Sequence, residues 1–226
     1  MEYRDIQLKE LLGRPLNDIE SKFAPKKIFY EGPMKIPLPC PRVSIIGSRN
    51  ASEQGLLEAK EISKRLIENR VTIVSGLAKG IDTVGHKAVI EYGGKTIAVI
   101  GTPLNRVYPK ENAELQEEIM KNHLVISQYP IGHKTTPKDF VFRNRTMALI
   151  SDATVIVEAG DSSGSLHQGW ETLRIGRPLF ICKSVVHNDK LEWPEKMIRY
   201  GAMELNEPLD ILENLPSDIK MPEIFQ

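Results

Sequence analysis

Short apolar runs alternate along this chain with longer segments in which apolar residues recur at three- or four-residue spacing. The run at 43–46 reads VSII, the run at 71–74 reads VTIV, and the segment between them places Leu56, Ile62 and Leu66 on one helical face. Such short runs are typical of strands buried on both faces, and such spacing is typical of amphipathic helices. The pattern therefore predicts alternating strands and helices.

Both patterns continue through the chain. Strands are predicted at 28–30, 43–46, 71–74, 96–100, 124–127, 154–157 and 178–181. Helices are predicted after Ser52 and at about 81–92, 113–121, 140–151 and 164–174, and the segment MIRYGAMELNEPLDILENL predicts a closing helix, strand and helix. Alternation of this kind predicts an α/β fold, a three-layer, Rossmann-like, doubly wound and mainly parallel sheet.

The first forty residues do not share this alternation. Ile6, Leu8, Leu11 and Leu12 predict a short helix, and three prolines at 37, 39 and 41 form a stiff connection to the first core strand. We expect residues 1–40 to be a lead-in that packs on the core, and residues 41–226 to be the core itself with its closing helices.

Two predicted strands end in loops of small residues that open a helix. A buried strand that breaks into such a loop presents backbone N–H groups to an anion, and the helix dipole favours negative charge. Ligands of open parallel sheets bind beyond the carboxyl ends of the strands, so both loops are expected on one phosphate-binding surface. The loop residues expected there are Gly47, Ser48, Arg49, Ser75, Gly76, Lys79 and Gly80.

Arg49 is the strongest single candidate, since it directly follows a core strand and a glycine. Its planar guanidinium can donate to two phosphate oxygens at once. The alternative is a surface arginine paired with a helix carboxylate. Lys79 adds a second charge, whereas Gly76 and Gly80 are equally explained by a loop that needs positive φ.

Charge changes this picture only locally. Thirty basic and thirty acidic residues give a formal net charge of zero, which argues against coating of nucleic acid by the whole surface. Residues 130–145, however, contain Lys134, Lys138, Arg143 and Arg145 against the single acid Asp139. An edge that meets phosphates would show this asymmetry, and so would random variation over a short segment.

A second group of candidates lies in the predicted helix that follows this basic segment. An aromatic beside arginines can stack an unpaired base while the arginines hold the backbone. The candidates are Phe140, Arg143, Asn144 and Arg145. Phe140 is equally explained as a core residue.

Ser163, Gly164 and Ser165 open a helix after another strand, which favours an anion site. A simple N-cap would explain one serine. Asp82, His86 and Glu158 are interpreted as residues that brace the loops. For Asp82 the reason is that a carboxylate beside a bound phosphate would repel it. Asp82 and His86 can also pair on one helix face, and neither a catalytic nor a metal site is predicted from them.

Compartment signals are weak. No apolar run approaches the roughly 20 residues that span a bilayer, and the first residues lack the basic-then-apolar order of a signal peptide. Cys40 and Cys182 have no metal-ligand spacing. We expect a cytoplasmic protein without a metal or cofactor.

Taken together, several segments resemble the DNA-processing protein A (DprA/Smf) family of single-stranded-DNA-binding proteins. They read KIFYEG, VSIIGSR, VSGLAKGID, GGKTIAVIGTPLNRVYP, FVFRNRTMALISDATVIVEAGDSSGSL and GRPLFI, and they extend with the closing segment over about residues 27–216. The resemblance implies a non-enzymatic protein that binds single-stranded DNA, dimerises and delivers the strand to a RecA/Rad51-type recombinase. It also implies that the arginine of GSR contacts DNA.

This sequence departs from the family pattern at several positions. Gln128 stands where a glutamate is usual, His167-Gln168 replaces a threonine-alanine pair, and Cys182-Lys183 replaces a proline-glycine pair. The length fits the minimal core without the helical and winged-helix domains that many members carry.

An enzyme or a small-nucleotide sensor on the same fold is the alternative. The fold variant also resembles the phosphoribohydrolases, whose catalytic glutamate would align with Gln168. An amide cannot act as a general base. Glu171 would need a shifted register, and Glu158 is the other candidate acid.

Overall fold

Nine strands in residues 3–215, the part of the chain that the computed structural model describes, form one mixed sheet. They are β1 (Arg4–Ile6), β2 (Ile28–Glu31), β3 (Arg42–Ile46), β4 (Thr72–Ser75), β5 (Lys95–Ile100), β6 (Leu124–Ser127), β7 (Ala153–Ile156), β8 (Leu179–Cys182) and β9 (Met203–Leu205). Their order across the sheet is β1-β2-β6-β5-β4-β3-β7-β8-β9. The strands β3 to β9 are parallel, and only β1 and β2 join antiparallel, at the β6 edge.

Helices connect these strands. They are α1 (Leu8–Leu12), α2 (Asp18–Phe23), α3 (Glu53–Glu68), α4 (Ile81–Tyr92), α5 (Ala113–Asn122), α6 (Pro137–Ile150), α7 (Ser165–Arg174), α8 (Lys183–Val186), α9 (Trp193–Arg199) and α10 (Asp210–Glu213), with a 3-10 turn at Lys110–Asn112. The predicted α/β, Rossmann-like fold is confirmed, including the closing helix, strand and helix. The predicted C-terminal boundary at residue 226 lies outside the described residues.

The three layers follow from burial on both faces of the sheet. Neighbouring residues Ile45 and Ile46 point to opposite faces, and both are buried. Ile45 packs in a cluster with Ala59 and Leu66 of α3, whereas Ile46 packs in another with Met147 of α6. A strand covered on both faces needs apolar residues at successive positions, which explains the uninterrupted apolar runs.

Most predicted boundaries lie within a residue or two of the observed ones, but helix α6 begins three residues early. Thr136 and Asp139 form a capping box, and Pro137 occupies the first turn, where its missing N–H costs nothing. At the N-terminus, Ile6 belongs to strand β1 rather than to the predicted helix. Helix α2 was not predicted, although Asn17 and Glu20 form a capping box there.

Apolar residues between positions 3 and 40 pack on the sheet. Leu8, Leu11 and Ile28 join the same cluster as Ile46. Glu20 of α2 accepts a hydrogen bond from Arg177, which precedes β8, at 2.7 Å. Burial opposes ionisation of Glu20, but the hydrogen bonds from its arginine neighbours outweigh it and lower the pKa to about 2.

Strand β3 is the topological switch point of the sheet. The chain proceeds from β3 through β4, β5 and β6 in one direction, and β7 then pairs with the other side of β3. The loops after β3 and β7 therefore diverge, and a crevice opens between them at the carboxyl edge of the sheet. This crevice holds the candidate site.

Within residues 3–215 no helix combines the length and apolarity that crossing a bilayer requires. In the same range no three His, Cys, Asp or Glu side chains form a group that could hold a metal ion.

Candidate functional site

A cavity of about 980 Å³ lies at the carboxyl edge of the sheet, where the loops after β3 and β7 meet the start of α6. It collects predicted residues from four separate segments of the chain. Those that line it are Gly47, Ser48, Arg49, Asp82, Phe140, Arg143, Asn144, Ser163, Gly164 and Ser165. The loop after β3 and the loop after β7 are therefore adjacent in space, although more than 100 residues separate them in the sequence.

Arg49 is exposed at the cavity wall. Within residues 3–215 its guanidinium has no ion-pair or hydrogen-bond partner. The loop that carries it is fixed by its backbone: the Ser48 N–H donates to the Glu158 carbonyl oxygen at 2.6 Å, and the Ser48 carbonyl accepts from the Ile81 N–H at 3.3 Å. A positioned loop thus presents a guanidinium whose donors are available.

Gly80 holds the second loop against the first. Its φ is +73°, a conformation that favours glycine, and a Cβ there would collide with the backbone carbonyl oxygen of Ser48. The two loops consequently touch at a point where only glycine fits.

Asp82 and Arg143 fix the remainder of the second loop from inside. Asp82 Oδ2 accepts from the N–H groups of Gly76 at 3.1 Å and Ala78 at 3.3 Å. Arg143 Nη1 donates to the carbonyl oxygens of Gly76 and, at 2.6 Å, of Val99. Both side chains are buried.

The environment of these two groups is charged as well as buried. Burial lowers the pKa of Arg143, the Asp82 charge opposes that shift, and the charge of Arg49 adds to it. Burial also raises the pKa of Asp82, against the attraction of Arg143. The positive charges of Arg49 and Arg143 are therefore close enough to affect each other.

The loop that precedes α7 completes the wall. Ser165 Oγ donates to the Gly47 carbonyl oxygen at 2.7 Å, and Asn144 Nδ2 donates to the Gly164 carbonyl oxygen at 3.0 Å. These two bonds join the start of α7 to β3 and α6. The N-terminal end of α7, with its positive dipole end, consequently faces the cavity beside Arg49.

One rim of the cavity is aromatic. The rings of Phe140 and Tyr108 lie 5.1 Å apart at an angle of 50°, and both line the cavity. Tyr108 is half exposed, and Val107 and Val141 beside it are exposed as well. Such a surface suits the flat face of an aromatic or heteroaromatic ligand.

Several predicted residues lie outside the cavity. Ser75 is buried and donates to the Ile45 carbonyl oxygen at 2.6 Å, so its hydroxyl is not presented to a ligand. Lys79 forms an ion pair with Glu111 at 2.5 Å. Gly76 and Gly80 shape the loop without lining the cavity.

Arg145 also points elsewhere. It donates to both carboxylate oxygens of Glu171 at 3.1 Å, and its guanidinium lies 4.7 Å from the centre of the Phe23 ring. The expected phosphate contact therefore does not match its position. Arg143 lines the cavity but directs its donors to backbone carbonyls and to Asn144.

Two residues interpreted as bracing act on different neighbours. Glu158 accepts from Ser52 N–H at 2.9 Å and so connects the end of β7 to the start of α3. His86 is buried, and its Nδ1 lies 2.7 Å from the Thr96 hydroxyl of β5. His86 therefore contacts the sheet rather than pairing with Asp82.

Arg106, Tyr108 and Gln168 line the cavity but were not among the site residues predicted from the sequence. Arg106 is exposed on the loop after β5, and within residues 3–215 its guanidinium has no ion-pair partner. Tyr108 was interpreted only as shaping this loop, and Gln168 as a departure from the family pattern and as the residue aligned with the phosphoribohydrolase glutamate. The sequence feature that could have identified Arg106 and Tyr108 is the segment NRVYP, which lies in the loop that follows the predicted strand 96–100.

The cavity is electropositive. Among the described residues, its charged lining consists of three arginines, Arg49, Arg106 and Arg143, and one carboxylate, Asp82. The two glutamates considered as catalytic acids are engaged elsewhere, Glu158 with Ser52 and Glu171 with Arg145 and Arg174. The arrangement can bind an anion that carries a flat ring, and within residues 3–215 no glutamate lines the cavity.

Comparison with known proteins gives one consistent result. A family model described as DNA recombination-mediator protein A matches residues 12–216. DNA processing protein DprA of Streptococcus pneumoniae is 39% identical over 189 residues, which are 84% of this chain and 66% of that protein. The Bacillus subtilis DprA is 32% identical over 192 residues, 85% of this chain and 65% of that protein. The chain thus spans about two thirds of the length of these relatives.

Solved structures agree with the sequence matches. The X-ray structure of DprA from S. pneumoniae superposes with a TM-score of 0.79 at 33% identity, over 95% of this chain and 75% of that chain. A Helicobacter pylori DNA processing protein A, whose structure is described in terms of its single-stranded DNA binding mode, superposes with a TM-score of 0.78 over 96% of this chain and 100% of that chain. At 23% identity, this second likeness shows the fold alone.

Proposed function

Since this chain belongs to the DNA recombination-mediator protein A family, we propose that it binds single-stranded DNA in the cavity described above. Backbone phosphates lie at Arg49 and at the N-terminal end of α7, and a base lies against Phe140 and Tyr108. The observation that carries the proposal is the exposed Arg49 guanidinium, which has no partner within residues 3–215 and lies in a cavity whose charged lining in that range is three arginines and one acid.

A single strand fits this arrangement better than a duplex. In a duplex the flat faces of the bases are covered by their neighbours, whereas an unstacked base can place its face on an aromatic ring. Here the aromatic rim lies at the same cavity as the cationic wall. A backbone held at Arg49 can therefore place its base on Phe140 without opening paired DNA.

The proposed role is binding without catalysis. A phosphoribohydrolase needs a carboxylate at the sugar, and in the cavity lining that carboxylate would have to be Asp82. Asp82 is buried and accepts two backbone N–H groups of its own loop. Gln168, at the aligned catalytic position, is an amide and cannot take a proton as a base.

We further propose that the bound strand passes to a RecA/Rad51-type recombinase in the cytoplasm. The description of the family as a recombination mediator supports this partner. A homodimer would place two such cavities along one strand and raise the avidity without any new contact. Light scattering after size-exclusion chromatography, with and without oligonucleotide, tests the dimer.

The binding proposal is tested by fluorescence anisotropy with labelled oligo-dT at a series of salt concentrations. Each phosphate contact contributes a slope of about −0.7 in log K against log salt for single strands. Two phosphate contacts, by Arg49 and Arg106, therefore predict a slope of about −1.4 or steeper. Absent or salt-insensitive binding contradicts the proposal.

Competition separates a strand binder from a small-nucleotide sensor. Unlabelled oligo-dT should displace the labelled strand at far lower concentration than dTMP, because a strand engages several phosphates at once. Equal displacement by dTMP, counted per nucleotide, would instead favour the sensor.

A further inference from the structure

Gln168 stands out among the buried side chains of the cavity wall. It lies in the first turns of α7, is fully buried, and lines the cavity. Within residues 3–215 neither Nε2 nor Oε1 has a hydrogen-bond partner. Thr135, which also lines this cavity, has a buried hydroxyl oxygen without a partner in the same range.

An unsatisfied buried amide is unfavourable, because folding removes it from water and returns no hydrogen bond. Such groups are rare in native proteins, and each calls for an explanation. Two other buried polar side chains of the cavity, Asp82 and Arg143, do have hydrogen-bond partners. The orphaned amide of Gln168 therefore points to a ligand group that completes its bonding.

The chemistry of the amide selects the ligand group. A carboxamide presents a donor beside an acceptor, so full satisfaction needs an acceptor beside a donor. A phosphate oxygen only accepts and would leave Oε1 unpaired. A nucleobase edge offers both, in the way that glutamine pairs with an adenine edge in duplex DNA.

We propose that Gln168 hydrogen-bonds the edge of one unpaired nucleobase, a contact that rests on the proposed binding of single-stranded DNA. The base stacks on the aromatic rim, its phosphate lies at Arg49, and its edge meets Gln168. Each natural base carries a donor next to an acceptor on some edge, and the amide can rotate to match either order. The contact therefore recognises the presence of a base rather than its identity.

Abasic DNA provides the test. Anisotropy titrations compare oligo-dT with a strand of equal length in which every base is absent and the phosphodiesters are intact. Gln168→Met, which keeps the length of the side chain, should lower the affinity for oligo-dT by about tenfold, the size of a bidentate base contact. Its affinity for the abasic strand should equal that of the wild type.

Arg49→Ala should weaken binding to both strands, because phosphates are present in both. Gln54→Met, the same substitution on the exposed surface of α3, should change neither. Thermal melting checks that Gln168→Met is folded, and Gln168→Asn, which withdraws the amide by one methylene, should show the same selective loss.

The two proposals fail in different ways. If Gln168→Met binds both strands like the wild type, or weakens both by one factor, the base contact is overturned while DNA binding stands. If the wild-type protein binds neither strand, the proposed function itself is overturned.

Discussion

Arg143 and Asp82 hold the two backbone polar groups of the same residue, Gly76. Arg143 Nη1 donates to the Gly76 carbonyl oxygen, and Asp82 Oδ2 accepts from the Gly76 N–H at 3.1 Å. Arg143 of helix α6 and Asp82 of helix α4 thus fix the loop after β4 from its buried side. These bonds explain why an arginine and an aspartate are both buried beside the cavity.

Removal of Arg143 should therefore act on stability as well as binding. In Arg143→Met the carbonyl oxygens of Gly76 and Val99 lose a buried, charged donor, which costs about 1.5–3 kcal/mol of unfolding free energy for each such bond. Urea unfolding followed by circular dichroism measures this. Arg65→Met, on the exposed face of α3, should leave the unfolding midpoint nearly unchanged. An Arg143 variant as stable as the wild type contradicts the bracing role.

Two glycines of this region should respond to alanine in opposite directions. Gly80→Ala forces a side chain into a glycine conformation and against the Ser48 carbonyl oxygen, so it should cost about 1–3 kcal/mol and weaken DNA binding. Gly85 lies inside α4, where a Cβ would sit 3.7 Å from Ile45 and Ile73. Gly85→Ala should stabilise the helix by about 0.5–1 kcal/mol.

Thermal melting of both variants provides the comparison. Equal destabilisation by the two alanines would show that tight packing, rather than the contact between the two loops, sets the requirement for glycine.

The structure predicts an acid-sensitive fold through His86. Burial, with smaller effects of His123 and Arg143, lowers its pKa to about 3. The unfolded chain binds a proton near pH 6.5 while the native protein does not, so stability is complete above that pH and declines below it. The slope is about 1.4 kcal/mol per pH unit for one such group.

His86→Gln keeps a hydrogen-bonding group at Thr96 and removes this titration. Urea unfolding at pH 7, 6 and 5 should show a smaller decline in the variant than in the wild type. The pH range lies above the titration of Glu20 near pH 2 to 4.5, and the difference between the proteins cancels the contribution of His123. An identical decline in both proteins contradicts the assignment.

The sheet could be predicted because its signal is local. Apolar runs such as 43–46 are buried on both faces, and helix α4 begins and ends where its glycines stand. Strand β1 and helix α2 were missed because three to six residues carry too little periodicity. Their position depends on tertiary contacts such as Glu20 with Arg177.

The site was predictable in its loops and less so in its side chains. Sequence position correctly placed Gly47-Ser48-Arg49 beside Ser163-Gly164-Ser165, because both follow parallel strands. It could not show that Arg145 turns toward Glu171 while Arg106 stays exposed at the cavity. The direction of the Arg145 side chain depends on how α6 is rotated against α7. Residues adjacent to Arg145 in the sequence do not reveal that rotation.

The comparison of Arg49→Ala with Arg145→Ala tests the central claim most directly. Both variants lower the formal net charge by one, but of the two arginines only Arg49 lies in the cavity and has no ion-pair partner within residues 3–215. In anisotropy titrations with oligo-dT, Arg49→Ala should bind about tenfold more weakly and reduce the salt slope by about one phosphate contact. Arg145→Ala should bind like the wild type, whereas equal loss in both variants, or loss in Arg145→Ala alone, would contradict the assignment of this cavity as the DNA site.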